Sequence, residues 1–150
     1  MTLQIPIPGG SDLRLEHLVI NAHGTLTDRG EPITAALAPL NQLLQRLLIH
    51  VLSVDRCDTP NGLAAIYLPI TTGIDKRKYL HTLGANRCVA IGNSRNDAPM
   101  LELAALGIAV IGPEGTHHDA IAAADIIALS IDEALQLLID PQTLAATSRP

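Results

Sequence analysis

Short, nearly unbroken apolar runs recur along this chain, at residues 18–20, 49–54, 88–91, 108–111 and 126–129, with a weaker one at 66–70. A strand wet on one face alternates apolar and polar side chains, so runs that do not alternate belong to strands covered on both faces. Between them lie stretches with Leu and Ala at helical spacing: 34–48, with Pro32 near its start, then 75–83, 96–106, 118–123 and 131–138. Gly84 and Gly107 stand where the helices over 75–83 and 96–106 are expected to stop. Strands alternating with helices in this way imply a three-layer α/β/α sandwich around a mainly parallel sheet. Ahead of it, residues 3–8 and 12–15 flank Pro8-Gly9-Gly10 and read as a short N-terminal β-hairpin. Asp58-Thr59-Pro60-Asn61-Gly62 is a turn cluster, after which 63–67 reads as the remnant of a helix. The tail beyond Pro141 carries no strong pattern. Nothing repeats, no insertion is long enough for a second domain, and residues 1–150 are expected to form one domain.

Composition narrows the function more than the fold. The only aromatic residues of the Phe, Trp and Tyr kind are Tyr67 and Tyr79, so Leu, Ile, Val and Ala must fill the core. A formal charge of −5, with no basic run longer than Lys76-Arg77-Lys78, argues against a nucleic-acid binder. Cys57 and Cys88 form no disulfide framework and no metal-ligand spacing, and read as packing thiols. No signal pattern opens the chain and no apolar run approaches membrane-spanning length, so a cytoplasmic protein without membrane contact is expected.

In an open parallel sheet, ligands bind beyond the carboxyl ends of the strands. Those ends carry Asn21, Ser53 and Asn93, which places three polar side chains on one edge. Two of the strands end in polar, glycine-containing turns. One segment is His17-Leu18-Val19-Ile20-Asn21-Ala22-His23-Gly24-Thr25-Leu26-Thr27; the other runs Cys88-Val89-Ala90-Ile91-Gly92-Asn93-Ser94-Arg95-Asn96-Asp97-Ala98-Pro99-Met100-Leu101. They resemble the first and last motifs of the haloacid dehalogenase (HAD) superfamily. The Asn96-Asp97-Ala98-Pro99 segment and the Gly107-Ile108-Ala109-Val110-Ile111-Gly112-Pro113-Glu114-Gly115 run are similar to its small soluble branch, related to the phosphorylation domain of P-type ATPases. The resemblance spans about residues 12–140 and implies a Rossmann-like, HAD-like sheet with no cap domain.

The resemblance also implies roles. In the family the first motif supplies an Asp nucleophile, and the residue two positions on offers its carbonyl to Mg²⁺ and often acts as general acid and base. Those positions are Asn21 and His23 here. A carboxamide is a very poor nucleophile, so the usual phospho-enzyme is not expected. His23 either carries a proton near neutral pH or is an ordinary loop histidine. Gly24 and Thr25 shape the turn and, in the family, hold phosphate through backbone N–H groups. Ser53 matches the hydroxyl that bonds the phosphoryl group, and Lys76 matches the lysine that offsets its charge, against the alternative of a solvated helix lysine. Asn93 and Asp97 match the metal-ligating positions of the last motif, with Asp97 alternatively capping the following helix. His117 and His118, adjacent at a helix start, read as surface residues.

One matching carboxylate, Asp97, facing one lysine implies weak Mg²⁺ binding, since Mg²⁺ wants one or two carboxylates plus phosphate oxygens. Asp55 or Asp58 is a candidate replacement. Two functions follow. One is an inactive or severely impaired HAD-like phosphohydrolase that keeps a phosphate-sized pocket and acts as a binding or regulatory protein (a pseudoenzyme). The other is an active Mg²⁺-dependent phosphatase on a small phosphorylated substrate. Expected partners are a small phosphate-containing ligand, a protein, or a second copy of the chain covering the face thinned by the short 53–76 connection.

Overall fold

A computed structural model describes residues 2–53 and 62–150. The turn expected at 58–62, except Gly62, lies outside the described residues, as do Asp55, Cys57 and Asp58.

The chain begins with the antiparallel hairpin of β1 (Leu3–Ile5) and β2 (Leu13–Leu15), in which Leu3 faces Leu15. Next come β3 (His17–Asn21), the small strands β4 (Thr27–Asp28) and β5 (Glu31–Pro32), α1 (Leu37–Leu43) and β6 (Leu48–Leu52). The second half runs β7 (Ile66–Leu68), α2 (Gly73–Leu83), β8 (Cys88–Gly92), α3 (Ala98–Leu103), β9 (Leu106–Val110), α4 (His118–Ala123), β10 (Ile126–Ala128), α5 (Ile131–Ile139) and α6 (Pro141–Thr147). Six strands form one sheet in the order β10-β9-β8-β3-β6-β7, and every neighbouring pair is parallel. The three-layer architecture and the N-terminal hairpin read from the sequence are therefore present.

Unbroken apolar strands demand cover on both sides, and they receive it. On one face, Leu18, Ile20, Val89 and Ile108 pack with Leu40 and Leu43 of α1, Leu135 and Leu138 of α5, and the hairpin's Leu3 and Ile5. On the other, Val19, Ala90 and Ala109 meet Leu80 of α2, Met100 and Leu101 of α3, and Ala120 of α4. No described helix is long and apolar enough to cross a membrane.

Several local expectations are corrected. The helix expected over 34–48 is a 3₁₀ turn followed by only the seven residues of α1, and Leu48 already belongs to β6. Residues 63–65 are not helical: Leu63 is buried in irregular chain that feeds straight into β7. α3 stops at Leu103, well short of Gly107, which sits inside β9. That glycine is there for close approach, since a Cβ on it would lie 2.2 Å from the Leu101 carbonyl oxygen. The patternless tail forms α6, which buries Leu144 and Ala145 in the main core beside the hairpin's Leu3 and Ile5. A further hairpin, β4–β5, turns through Arg29 (φ 51°) and Gly30 (φ 83°), the paired positive φ values that a tight two-residue loop requires.

Chain direction across the sheet positions the site. From β3 the chain moves outward through β6 and β7, then returns to the other side of β3 for β8, β9 and β10. Strand order thus reverses between β3 and β8, the kind of crevice where open α/β sheets bind ligands. Asn21 ends β3 and Asn93 follows β8 at that reversal.

Candidate functional site

A cleft of about 560 Å³ opens above the carboxyl ends of β3, β6 and β8. Asn21, His23, Gly24, Ser53, Lys76 and Asn93 all line it. Thr25 and Asp97, the other two residues singled out from the sequence, lie buried just behind. One cleft therefore gathers the whole set, with Asp55 and Asp58 outside the described residues.

The turn after β3 is built on one carbonyl: Ala22 O accepts from the backbone N–H groups of Thr25, Leu26 and Thr27. Such tight wrapping needs Gly24 at φ 72°, and the missing side chain leaves room for Asn93, whose Nδ2 would sit 2.6 Å from a Cβ there. His23 is consequently exposed at the rim, while its backbone carbonyl points inward and accepts 2.7 Å from Asn21 Nδ2.

Lys76 is the largest fully buried side chain in the described structure, 2% exposed. It lies in the second turn of α2, a helix started by Thr72, whose hydroxyl accepts from Asp75 N at 3.1 Å. Arg77 and Lys78 point to solvent, so the short basic run is divided as helical geometry requires. The Lys76 ammonium donates to Asp97 Oδ1 at 2.8 Å, Asn96 Oδ1 at 2.9 Å and Asn21 Oδ1 at 3.4 Å. Three donors meet three acceptors, which is what a buried ammonium needs.

Asp97 is equally committed. Its Oδ2 accepts from the backbone N–H of Asn93 at 2.9 Å, the backbone N–H of Ser94 at 3.0 Å and the Ser94 hydroxyl at 2.8 Å. These bonds tie the carboxylate back to the turn before α3. Asn93 closes the set. Its Oδ1 accepts from Thr25 Oγ1 at 3.0 Å and Asn21 Nδ2 at 3.2 Å, and its Nδ2 donates to Gly115 O at 3.1 Å.

These donors do not suit Mg²⁺. Among the described residues no group of three or more His, Cys, Asp and Glu side chains is placed to hold a metal ion. Of the four positions that the resemblance makes metal ligands, Asn21 and Asn93 are neutral amides, the His23 carbonyl already accepts from Asn21 Nδ2, and Asp97 is occupied by Lys76 and three N–H or O–H donors. A hard dication that dehydrates reluctantly gains too little from that set.

Sequence reading missed the cleft's far wall. Glu114, Gly115, Thr116 and His117 line it along the loop after β9, and Arg95 lines it beside Asn93. His117 is a surface residue as expected, but its Nδ1 also caps α4 by accepting from Asp119 N at 3.0 Å. Glu114 Oε2 accepts 3.0 Å from Arg29 N, fastening the β4–β5 hairpin to this wall.

A second polar cluster lies outside the cleft. His17 Nδ1 is 3.0 Å from His50 Nε2, and His50 Nδ1 is 2.6 Å from Tyr79 OH. Burial lowers the pKa of both histidines, that of His50 to about 4, and raises that of the Tyr79 phenol. The chain of rings joins β3, β6 and α2, and so anchors the helix that carries Lys76 one turn earlier.

Comparison with known proteins leads to the same fold. The haloacid dehalogenase-like hydrolase family profile matches residues 70–134. An uncharacterized protein of Methanocaldococcus jannaschii is 46% identical over 63 residues, 42% of this chain and 68% of that one. Among solved structures, 3-deoxy-D-manno-octulosonate 8-phosphate phosphatase of Moraxella catarrhalis, in complex with magnesium ion, phosphate ion and KDO, superposes with a TM-score of 0.62. It is 17% identical and the match covers 86% of this chain and 88% of that one. The catalytic domain of the CPx-ATPase CopB-B superposes with a TM-score of 0.57 at 27% identity, over 68% of this chain and 44% of that one. The chain belongs to the haloacid dehalogenase superfamily.

Proposed function

We propose that this chain is a haloacid dehalogenase-fold protein that does not turn over phosphate esters by the covalent route, and that it serves as a binding or regulatory protein for a phosphate-bearing ligand. One observation carries the reading. At the end of β3, where the family resemblance puts a nucleophilic carboxylate, stands the Asn21 carboxamide, and its nitrogen is turned to the His23 carbonyl. A neutral amide fixed in two directions offers no lone pair fit to attack phosphorus. The cleft nonetheless has the size of a small-ligand site. Arg95, His117 and the Ser53 and Thr71 hydroxyls are spread along its walls. With the formal charge at −5, the occupant we propose is a small phosphate group and not a nucleic acid.

The test pairs binding with turnover. Inorganic phosphate is titrated into the native chain by calorimetry, and p-nitrophenyl phosphate hydrolysis is followed with Mg²⁺ present. Saturable phosphate binding without hydrolysis is the expected result. Hydrolysis lost in Asn21→Ala or His23→Ala would establish an active phosphatase instead, and the absence of any phosphate binding would remove the ligand from the proposal.

A further inference from the structure

We infer that the Asn21 side-chain NH₂ takes the place of the divalent cation in this site, so that the cleft is assembled and holds its anion without a metal. The inference rests on the site reading above and deepens it, and its test reads the metal and not the phosphate.

Asn21 Nδ2 donates to two oxygens at once, His23 O at 2.7 Å and Asn93 Oδ1 at 3.2 Å. These oxygens come from the turn after β3 and the turn after β8, the two loops that flank the reversal in strand order. Two acceptor oxygens drawn together from separate loops need something electropositive between them. An ion can do this, and so can a pair of N–H groups on one nitrogen. The other end of the same amide is arranged to match, because Oδ1 faces the Lys76 ammonium at 3.4 Å. Lys76 therefore fixes which way the carboxamide points, with its nitrogen toward the oxygens. Asn93 is fixed likewise, its Nδ2 bonded to Gly115 O and its Oδ1 left to receive Asn21 and Thr25. No buried side-chain nitrogen or oxygen among the described residues lacks a partner. The site is closed upon itself, with the Lys76–Asp97 charges balanced inside it.

The consequence is specific. In Asn21→Asp an oxygen replaces the nitrogen, and three acceptors face one another with no donor between them. Such a chain acquires a need for a cation that the native chain lacks. Melting temperatures of the native chain and of Asn21→Asp are measured in EDTA and in millimolar Mg²⁺, with no phosphate present. The native chain is expected to melt at one temperature in both. Asn21→Asp is expected to melt about 5–10 °C lower in EDTA and to regain much of that loss in Mg²⁺. A native chain stabilised by Mg²⁺, an Asn21→Asp chain as stable as the native one in EDTA, or one indifferent to Mg²⁺ would each overturn the inference.

Should Asn21→Asp not fold, the native chain answers alone. Its Asn21 carboxamide protons, followed by NMR, are expected to keep their shifts and widths through a Mn²⁺ titration. Paramagnetic broadening of those two signals at low Mn²⁺ would place a cation beside the nitrogen and sink the idea. Neither readout involves phosphate or hydrolysis, so failure here leaves the phosphate-binding proposal to its own test.

Discussion

The Lys76 ammonium and the Asp97 carboxylate meet at 2.8 Å with their side chains only 2% and 0% exposed. A buried pair is poor evidence of net stability, because desolvation consumes most of the attraction. Breaking it is another matter, since the remaining charge is stranded. Lys76→Met is expected to cost about 3–5 kcal/mol. Asp97→Asn is also destabilising, because an amide cannot accept at both Oδ positions as the carboxylate does. The double variant Lys76→Met/Asp97→Asn should lose less than the sum of the single changes, as urea unfolding in a double-mutant cycle would show. Strict additivity would mean that the two charges are not coupled.

The His17–His50–Tyr79 chain sets a pH dependence. Burial lowers the His50 pKa from 6.5 to about 4, and that of His17 in the same direction. Between those values the unfolded state holds more protons than the folded one, so stability rises with pH. Stability is therefore complete above about pH 6.5, falls as the pH drops toward 4, and stops falling from this cause below 4. For His50 the full span is on the order of 3 kcal/mol. The alkaline limb comes from Cys88, whose thiol is pushed up by burial from 9.0 to about 11, so stability declines as pH rises through that interval, and the Tyr79 phenol, also raised by burial, acts in the same direction. Urea midpoints measured from about pH 4 to 7 check the acid limb, and His50→Gln, which does not titrate, should flatten most of it. An unchanged slope in His50→Gln would shift the cause elsewhere.

The sheet was legible because strand burial writes itself directly into composition: an apolar run such as Cys88–Gly92, too short for a helix and flanked by turn residues, fits a doubly covered strand and little else. The site edge was legible for a topological reason, since Asn21, Ser53 and Asn93 had to emerge together at the carboxyl ends. Glycine was harder to read. Gly84 (φ 93°) does follow α2 as a helix stop, but Gly107, read in the same way, answers to packing between chain segments that no local pattern records. The orientation of the Asn21 amide was also hidden, because it is fixed by Lys76 and Asn93, residues far away in sequence.

Gly107→Ala tests that packing. A methyl 2.2 Å from the Leu101 carbonyl oxygen, and 3.0 Å from its carbon, has only backbone to push against. α3 must then move off β9, and Met100 and Leu101, which face the sheet from α3, move with it. The expected cost is about 3 kcal/mol or more, at the upper end of overpacking penalties. A urea midpoint unchanged from the native chain would show that α3 and β9 are not packed backbone against backbone at this point.

Leu144 decides whether the tail belongs to the fold. Read locally, residues after Pro141 carry no pattern, and a change there should be silent. Yet Pro141 is set at the start of α6, where a missing N–H costs nothing, and the helix turns Leu144 fully into the core cluster that holds Leu3, Ile5 and Leu138. Truncating a fully buried leucine removes its transfer free energy and leaves a cavity, so Leu144→Ala is expected to cost about 2–5 kcal/mol. Ile74→Ala is the control, because Ile74 is 69% exposed on α2 and its loss should shift stability by less than about 0.5 kcal/mol. Equal midpoints for the two variants would detach α6 from the core. A large difference would show that α6 is part of the folded core.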